Sequence, residues 1–405
     1  MMKEVMTMKL IERHFYMKQL KRVQGTPEIK VITGIRRCGK SKLLEAFAQY
    51  VSRSDALANV IHVNFNLLEF EELRDYHALY HYVESHYREG RNNYIFIDEV
   101  QMCPSFEKAI NSFHASEKYD IYITGSNAFL LSSDLATLFT GRTYEIEVYP
   151  FSFTEFLQYY NYTNPYEALK IYITAGGMAG SYLYADAEDK YRYIADEVFN
   201  ALIVRDIITK HHIRNKVLLE RVSDYLMDIL GSLVSVRKIA AALASHHNKA
   251  SDKTIGSYID YLCKAYAFYK IRRYDIRGKR YLNTEDKYYL ADPSFKYARL
   301  GTKNPDFGHV LENIVAIELL RRGYEVYVGM LYQKEIDFVA IKQNEKLYIQ
   351  VSDLITEDKT FEREVTPLLA IRDAYPKLLL ARTQLPSYQY EGIQIIDIAD
   401  WLLQS

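Results

Sequence analysis

Glu28-Ile-Lys-Val-Ile-Thr33, Gly34-Ile-Arg-Arg-Cys-Gly39-Lys40-Ser41 and Lys42-Leu-Leu-Glu-Ala-Phe-Ala-Gln-Tyr-Val51 follow one another without a gap. The first run is short, apolar and β-branched, and the third places its apolar residues at helical spacing, so the order is strand, glycine loop, helix. The loop fits G-x-x-x-x-G-K-[ST], and the strand before it and the helix after it turn a string match into a mechanism. Gly34 and Gly39 let the chain fold so that backbone N–H groups and the helix N-terminus face phosphates, and Ile35, Arg36, Arg37, Cys38 and Lys42 complete the cradle. In such a loop Lys40 bridges the β and γ phosphates, and the Ser41 hydroxyl ligates magnesium. Arg36 and Arg37 either add charge there or face solvent.

A second apolar strand, Tyr94-Ile-Phe-Ile, ends in Asp98-Glu99, and this arrangement resembles a Walker B motif. Asp98 is then expected to hold magnesium through water, and Glu99 to polarise the attacking water. The alternative is a buried strand with an acidic cap. A third strand, Asp120 to Thr124, runs into Gly125-Ser126-Asn127, so Asn127 is expected either to sense the γ phosphate at the sheet edge or to cap a turn. Arg142, in Phe139-Thr-Gly-Arg-Thr143, is a candidate arginine finger or phosphate sensor, with a solvent-facing or structural role as the alternative.

The order GIRRCGKS, FIDEVQ, ITGSNA, TGR and PFSFTEF resembles the AAA+-type ATPases of bacteria and archaea over residues Glu28 to Leu157. That resemblance implies an α/β fold with a parallel-sheet P-loop core, ATP and ADP as ligands, magnesium as cofactor and ATP hydrolysis as the reaction. It leaves the biological process open. The segment 161–217 reads as mainly helical, interrupted at Gly176-Gly177-Met-Ala-Gly180, and looks like the lid that follows such cores. Arg205 in it either senses nucleotide or belongs to a helix-surface ion pair.

From 218 to 300 the pattern is that of a winged helix. A capped helix begins at Ser235, a second helix from Lys253 takes the recognition position, and a strand pair around Arg277-Gly278-Lys279 forms the wing. Lys253, Arg272, Arg273, Arg277, Lys279 and Arg280 are candidates for contact with the phosphates of double-stranded DNA. A protein-interaction or packing role is the alternative.

The segment 301–405 resembles restriction-endonuclease-like folds. An active version collects a divalent metal with a helix Glu, a strand Asp and an E-x-K on the next strand. This chain supplies Glu312 and Asp337 but has Gln350-Val351-Ser352 where E-x-K belongs. An amide is a much weaker ligand for a hard cation than a carboxylate, and Ser cannot replace a lysine's charge. The site is therefore read as degenerate, kept for binding or assembly.

Length and composition set the frame. A chain of 405 residues accommodates two or three domains; the motifs divide it into an ATPase core at 1–160, a helical lid at 161–217, a winged helix at 218–300 and a nuclease-like domain at 301–405. No run of about 18 apolar residues could span a bilayer, and Met1 to Leu10 lacks the pattern of a secretory signal. Three widely spaced cysteines offer neither a disulfide framework nor zinc spacing. The expectation is a cytoplasmic protein without a membrane partner, acting on DNA, on a protein partner or as a homo-oligomer. The balance of 51 basic and 52 acidic residues favours none of these. Hydrolysis is expected to reposition the winged-helix and nuclease-like module; a signalling switch acting through a protein partner and an ATP-gated nuclease are the alternatives.

Overall fold

The apolar runs that open the sequence pattern become the centre of a parallel sheet. The computed structural model describes residues 9–125, 139, 141–244, 251–278, 280–301 and 307–404, with the side chains of 205 and 280–284 outside that description. Among the described residues two compact units are present, one from Leu10 to Val148 and one from Tyr149 to Gln404, the second also taking in Lys9.

The first unit contains strands β1 (Ile29–Thr33), β2 (Ala58–Asn64), β3 (Asn92–Asp98), β4 (Tyr119–Thr124) and β5 (Thr143–Glu147), and helices α1 (His14–Val23), α2 (Lys40–Ser54), α3 (Tyr76–Ser85) and α4 (Phe106–Ser116). The strands lie in the order β2-β3-β4-β1-β5, every pair parallel. All five residues of β1 are buried, as a parallel strand covered on both faces requires. One face packs Val31, Ile97 and Ile123 against Phe106, Ile110 and Phe113; on α2, Phe47 lies beside Phe96 and Tyr122. Lys30 sits in this apolar sheet fully buried, its ammonium 2.6 Å from Asp120 Oδ1 and over the Tyr122 ring. Asp120 also accepts the Gly25 N–H and the Tyr122 hydroxyl, and Lys30 also donates to the Thr26 carbonyl, so each member of the buried pair has further hydrogen bonds, the condition under which such a pair is tolerated.

The second unit begins with Ser152-Phe-Thr-Glu155, a capping box: the Ser152 side chain accepts the Glu155 N–H and the Glu155 carboxylate accepts the Ser152 N–H. It starts α5 (Phe153–Tyr160), followed by α6 (Pro165–Ala175), capped by Asn164, and α7 (Ala187–Arg192), which continues into two π-helical segments, Tyr193–Asn200 and Leu202–Thr209. Next come α8 (Lys216–Asp228), α9 (Val236–Leu243) capped by Ser235, and α10 (Asp252–Lys264) capped by Ser251. The hairpin β6 (Phe268–Asp275) and β7 (Arg280–Leu290) leads to α11 (Ser294–Leu300) and α12 (Phe307–Arg321). The remainder is β8 (Glu325–Leu331), β9 (Lys334–Lys342), β10 (Glu345–Ser352), α13 (Asp358–Leu369), β11 (Lys377–Ala381), β12 (Tyr388–Tyr390), β13 (Ile393–Asp397) and α14 (Ile398–Leu403).

Two boundaries differ from the sequence reading. The expected core ran to residue 160, whereas the first unit closes at Val148, because the Phe151 N–H donates to the Gly177 carbonyl and Arg321 donates to the Pro150 carbonyl. The expected boundary at 300/301 falls within a single eight-stranded sheet, β12-β13-β11-β10-β9-β8-β6-β7. The hairpin read as a wing is its edge pair, since β6 runs parallel to β8 with Arg273 opposite Val328.

The Gly176-Gly177 interruption has a packing cause. A Cβ on Gly177 would lie 2.2 Å from the Phe151 carbonyl oxygen, and one on Gly176, at φ +63°, would lie 1.9 Å from Asp292 Oδ1. Buried Asp292 accepts the N–H groups of Gly177 and Ser294 and the Ser294 hydroxyl. Burial pushes its carboxyl up from 3.8 to about 6, against the hydrogen bonds that favour the anion. Between those two values the folded chain keeps a proton that the unfolded chain has released, so the stability this group contributes falls as pH rises through the window. In urea unfolding, the stability difference between wild type and Asp292→Asn is expected to decline from about pH 4 to about pH 6; a flat difference would mean that Asp292 does not titrate there.

Candidate functional site

Parallel register brings the C-terminal ends of the central strands to one edge of the first sheet. Asn64 lies opposite Asp98, Ile97 opposite Ile123, and Ile32 opposite Thr124. The loop from Gly34 to Gly39 leaves β1 at this edge, and α2 begins at Lys40.

The loop needs both of its glycines. Gly34 has φ +129°, and a Cβ there would meet the Val148 carbonyl oxygen at 2.1 Å; Gly39 caps α2 at φ +101°. Lys40 is buried, its Nζ donating to the carbonyls of Gly34 at 2.8 Å and Ile35 at 3.1 Å. Arg13, at the start of α1, donates from Nη1 to the Cys38 carbonyl at 2.9 Å and lies over the Tyr16 ring. It thus holds the loop from outside, a role no motif marks, because Arg13 sits far upstream of the pattern. Burial raises the Cys38 thiol and keeps it protonated. Arg36 is half-buried and Arg37 is exposed. Lys42 turns outward to pair with Glu45.

Asp98 is buried, and Thr124 Oγ1 donates to its Oδ1 at 2.5 Å. Its Oδ2 is buried with no hydrogen-bond partner. Ser41 and Asp98 line one cavity of about 680 Å³, together with His62 and Asn64. A carboxylate with one buried oxygen that lacks a donor and a serine hydroxyl, on residues lining one cavity, are the hard oxygen ligands that magnesium takes. The residues therefore fit that ion. Glu99 stands half-buried at φ 56°; its N–H donates to Thr124 Oγ1 at 3.1 Å, and its carboxylate accepts from Gln101 Nε2. Thr124 thus ties the two acidic residues together, a contact the third strand's sequence did not reveal.

Asn127 lies outside the described residues. Arg142 is exposed and immediately precedes β5, whose Thr143 pairs with Ile29 at the start of β1. Since β5 and β1 are parallel, Arg142 stands at the edge opposite the glycine loop. One β1 length, about 15 Å at the usual rise per residue, separates those edges, so the structure does not bring Arg142 to the loop of its own chain.

In the second unit Glu312, Asp337 and Gln350 do come together, lining a cavity of about 530 Å³. The Asp337 N–H donates to Gln350 Oε1 at 3.3 Å, Val351 N–H donates to Asp337 Oδ2 at 2.8 Å, and Gln350 Nε2 donates to Glu364 at 3.0 Å. Lys287, absent from the sequence reading, pairs with Glu312 at 2.7 Å. Burial among these charges keeps the Asp337 carboxyl well above the usual range. Among the described residues, no group of three or more His, Cys, Asp or Glu side chains is placed to hold a metal ion. Of the basic candidates, Lys253, Arg272 and Arg277 are exposed and Arg273 is half-buried; Lys279 and the Arg280 side chain lie outside the described residues. Asp275 accepts the N–H groups of Arg277 and Gly278 and so shapes the hairpin turn, while the Arg277 guanidinium lies 5.3 Å from the centre of the exposed Tyr332 ring. Among the described residues, no helix is long and apolar enough to cross a membrane.

Comparison with known proteins agrees with the class this sheet and loop define. The AAA domain family matches residues 26–157, which covers most of the first unit, and a domain of unknown function matches residues 166–306. An uncharacterised protein of Haemophilus influenzae is 38% identical over 404 residues, 98% of this chain and 100% of that one. The chain belongs to the family of that Haemophilus protein. A Methanocaldococcus jannaschii protein is 28% identical over 394 residues, 92% of this chain and 85% of that one. Among solved structures, the Walker-type ATPase of Pyrococcus abyssi is similar at 17% identity and TM-score 0.42, over 72% of this chain and 96% of that one. AMPPCP-bound DnaA from Aquifex aeolicus is similar at 14% identity and TM-score 0.31, over 62% and 86%. Scores this low carry no argument about either unit.

Arg13 offers a test of how the loop is held. A charge-assisted hydrogen bond to the Cys38 carbonyl is worth roughly 1.5–3 kcal/mol, so Arg13→Met is expected to weaken binding of a fluorescent ATP analogue about tenfold or more. Unchanged affinity in a titration would show that the loop keeps its shape without it.

Proposed function

We propose that the chain binds ATP with magnesium on the loop Gly34–Ser41 and hydrolyses it to ADP and phosphate. The observation that carries this reading is that Asp98, whose buried Oδ2 has no hydrogen-bond partner, lines one cavity with Ser41, on the edge where Lys40 begins its helix. Backbone N–H groups of the loop and the Lys40 ammonium bind the phosphates, with Lys40 giving up its bonds to the carbonyls of Gly34 and Ile35 for the β and γ oxygens. Ser41 and Asp98 would hold magnesium, which supplies positive charge to the phosphate oxygens when bound. Glu99 orients a water for in-line attack on the γ phosphorus and takes its proton, while the leaving ADP oxygen keeps the electron pair of the broken bond. Gln101 and Thr124 fix the Glu99 side chain and backbone for that task. Arg142 has no part in this scheme within one chain, because it stands at the other edge of the sheet.

Phosphate release decides the matter. Magnesium-dependent turnover is expected to fall about a hundredfold or more in both Lys40→Ala and Glu99→Gln, with Glu99→Gln alone retaining wild-type ATP affinity. Turnover that survives Glu99→Gln would remove that residue from the mechanism, and a single release per chain would favour a switch over an enzyme.

A second reading concerns the C-terminal unit: α8 to α10 with the β6–β7 hairpin as a winged helix that contacts double-stranded DNA. It is supported by the exposed Arg277 at the hairpin turn and the exposed Arg272 and Lys253. Arg277→Glu is expected to lower duplex affinity and to reduce the salt slope by about one; equal affinity at every salt concentration would assign the hairpin a packing role instead.

A further inference from the structure

The pocket around Glu312 and Asp337 is built around a side-chain cation. Lys287 lies on β7, is 3% exposed, and places its ammonium 2.7 Å from Glu312, 2.7 Å from Glu335 and 3.9 Å from Asp337. Tyr289, two residues along the same strand face, adds its hydroxyl to Glu312. The three carboxylates hold Lys287 firmly protonated despite its burial. An ammonium has three donors and no acceptor, and here they are directed at carboxylates from α12 and β9.

The same groups are the ones a divalent ion would require, and they do not fit one. An ion ligated by both Glu312 and Asp337 would share their oxygens with an ammonium already in contact with one of them, and two cations held on the same carboxylate repel each other strongly. The Gln350 amide, at the position where a third ligand belongs, is committed on both sides: its oxygen to the Asp337 N–H and its nitrogen to Glu364. We propose that Lys287 is the resident cation of this pocket, standing where a divalent ion would join Glu312 to Asp337, so that the carboxylate cluster closes without metal. The consequence reaches beyond a lost nuclease. The cation belongs to the β6–β7 hairpin, so the cluster pins that hairpin to α12 and β9, and metal binding and hairpin attachment exclude one another.

Manganese binding to the nucleotide-free full-length chain, followed by electron paramagnetic resonance, tests this. Wild type and Asp337→Asn are expected to bind manganese equally, because the pocket takes none in either. Lys287→Ala is expected to melt about 5–10 °C lower, since it leaves buried carboxylates uncompensated. It should also gain a manganese site that restores part of the lost melting temperature, and Lys287→Ala/Asp337→Asn should lose that site. Manganese binding to wild type that Asp337→Asn removes would overturn the proposal, as would a folded Lys287→Ala chain that gains no site. Should Lys287→Ala fail to fold, the comparison of wild type with Asp337→Asn decides alone: equal binding upholds the resident lysine, and unequal binding refutes it.

Discussion

The hydrogen-bond register of β1 between β4 and β5 is the constraint on which the nucleotide site depends. Because every pair in the first sheet is parallel, all strand ends of one polarity share one edge. That arrangement delivers the glycine loop, Asp98 and Thr124 to a common place without long side chains reaching for one another. It also brings Val148, just beyond β5, so near the loop that residue 34 tolerates no Cβ. The requirement for glycine there arises from sheet packing as much as from phosphate access. The register equally carries Arg142 to the opposite edge, so one set of backbone bonds both assembles the site and excludes a candidate from it.

Buried charge recurs in this chain, each time with its partners supplied. Lys30 meets Asp120 within the first sheet, Asp292 gathers the N–H groups of Gly177 and Ser294, and Lys287 is surrounded by carboxylates. Desolvating an ion costs several kcal/mol even after relaxation, so these clusters persist only where every partner is in place. Asp98 differs from these three. Thr124 satisfies one oxygen and nothing satisfies the other, and an isolated buried anionic oxygen is costly enough to mark a cation site. The cluster at Lys287 thus has its cation supplied by a side chain, whereas Asp98 keeps one oxygen without a donor.

Much of the first unit was legible because its signals are local. A β-branched run before G-x-x-x-x-G-K-S and an apolar strand ending in Asp98-Glu99 each state their own geometry over a few residues. The order of motifs, however, carries no information about which edge of a sheet a loop occupies, so it could not place Arg142 relative to the loop of its own chain. Arg13 and Lys287 escaped for a related reason: each works on a segment distant in sequence, Arg13 on Cys38 and Lys287 on Glu312 and Glu335. The hairpin at 268–290 was recognised as a strand pair, but its attachment to β8 depends on a parallel pairing across more than fifty intervening residues, which no turn signal encodes.

What the sequence determined by itself was therefore the chemistry of short segments: a loop able to cradle phosphates, two carboxylates at a strand end, and a Gln-Val-Ser triplet that lacks the ligands for a metal. Those follow from residue type and spacing, which act over one or two turns of backbone. Tertiary structure alone decided that Thr124 joins Asp98 to Glu99, that Arg142 stands away from the loop, and that a lysine from an edge hairpin fills the carboxylate cluster. Each of these is a through-space pairing set by strand register and burial, and the free energy of such a pairing depends on which segments meet rather than on what either segment says alone.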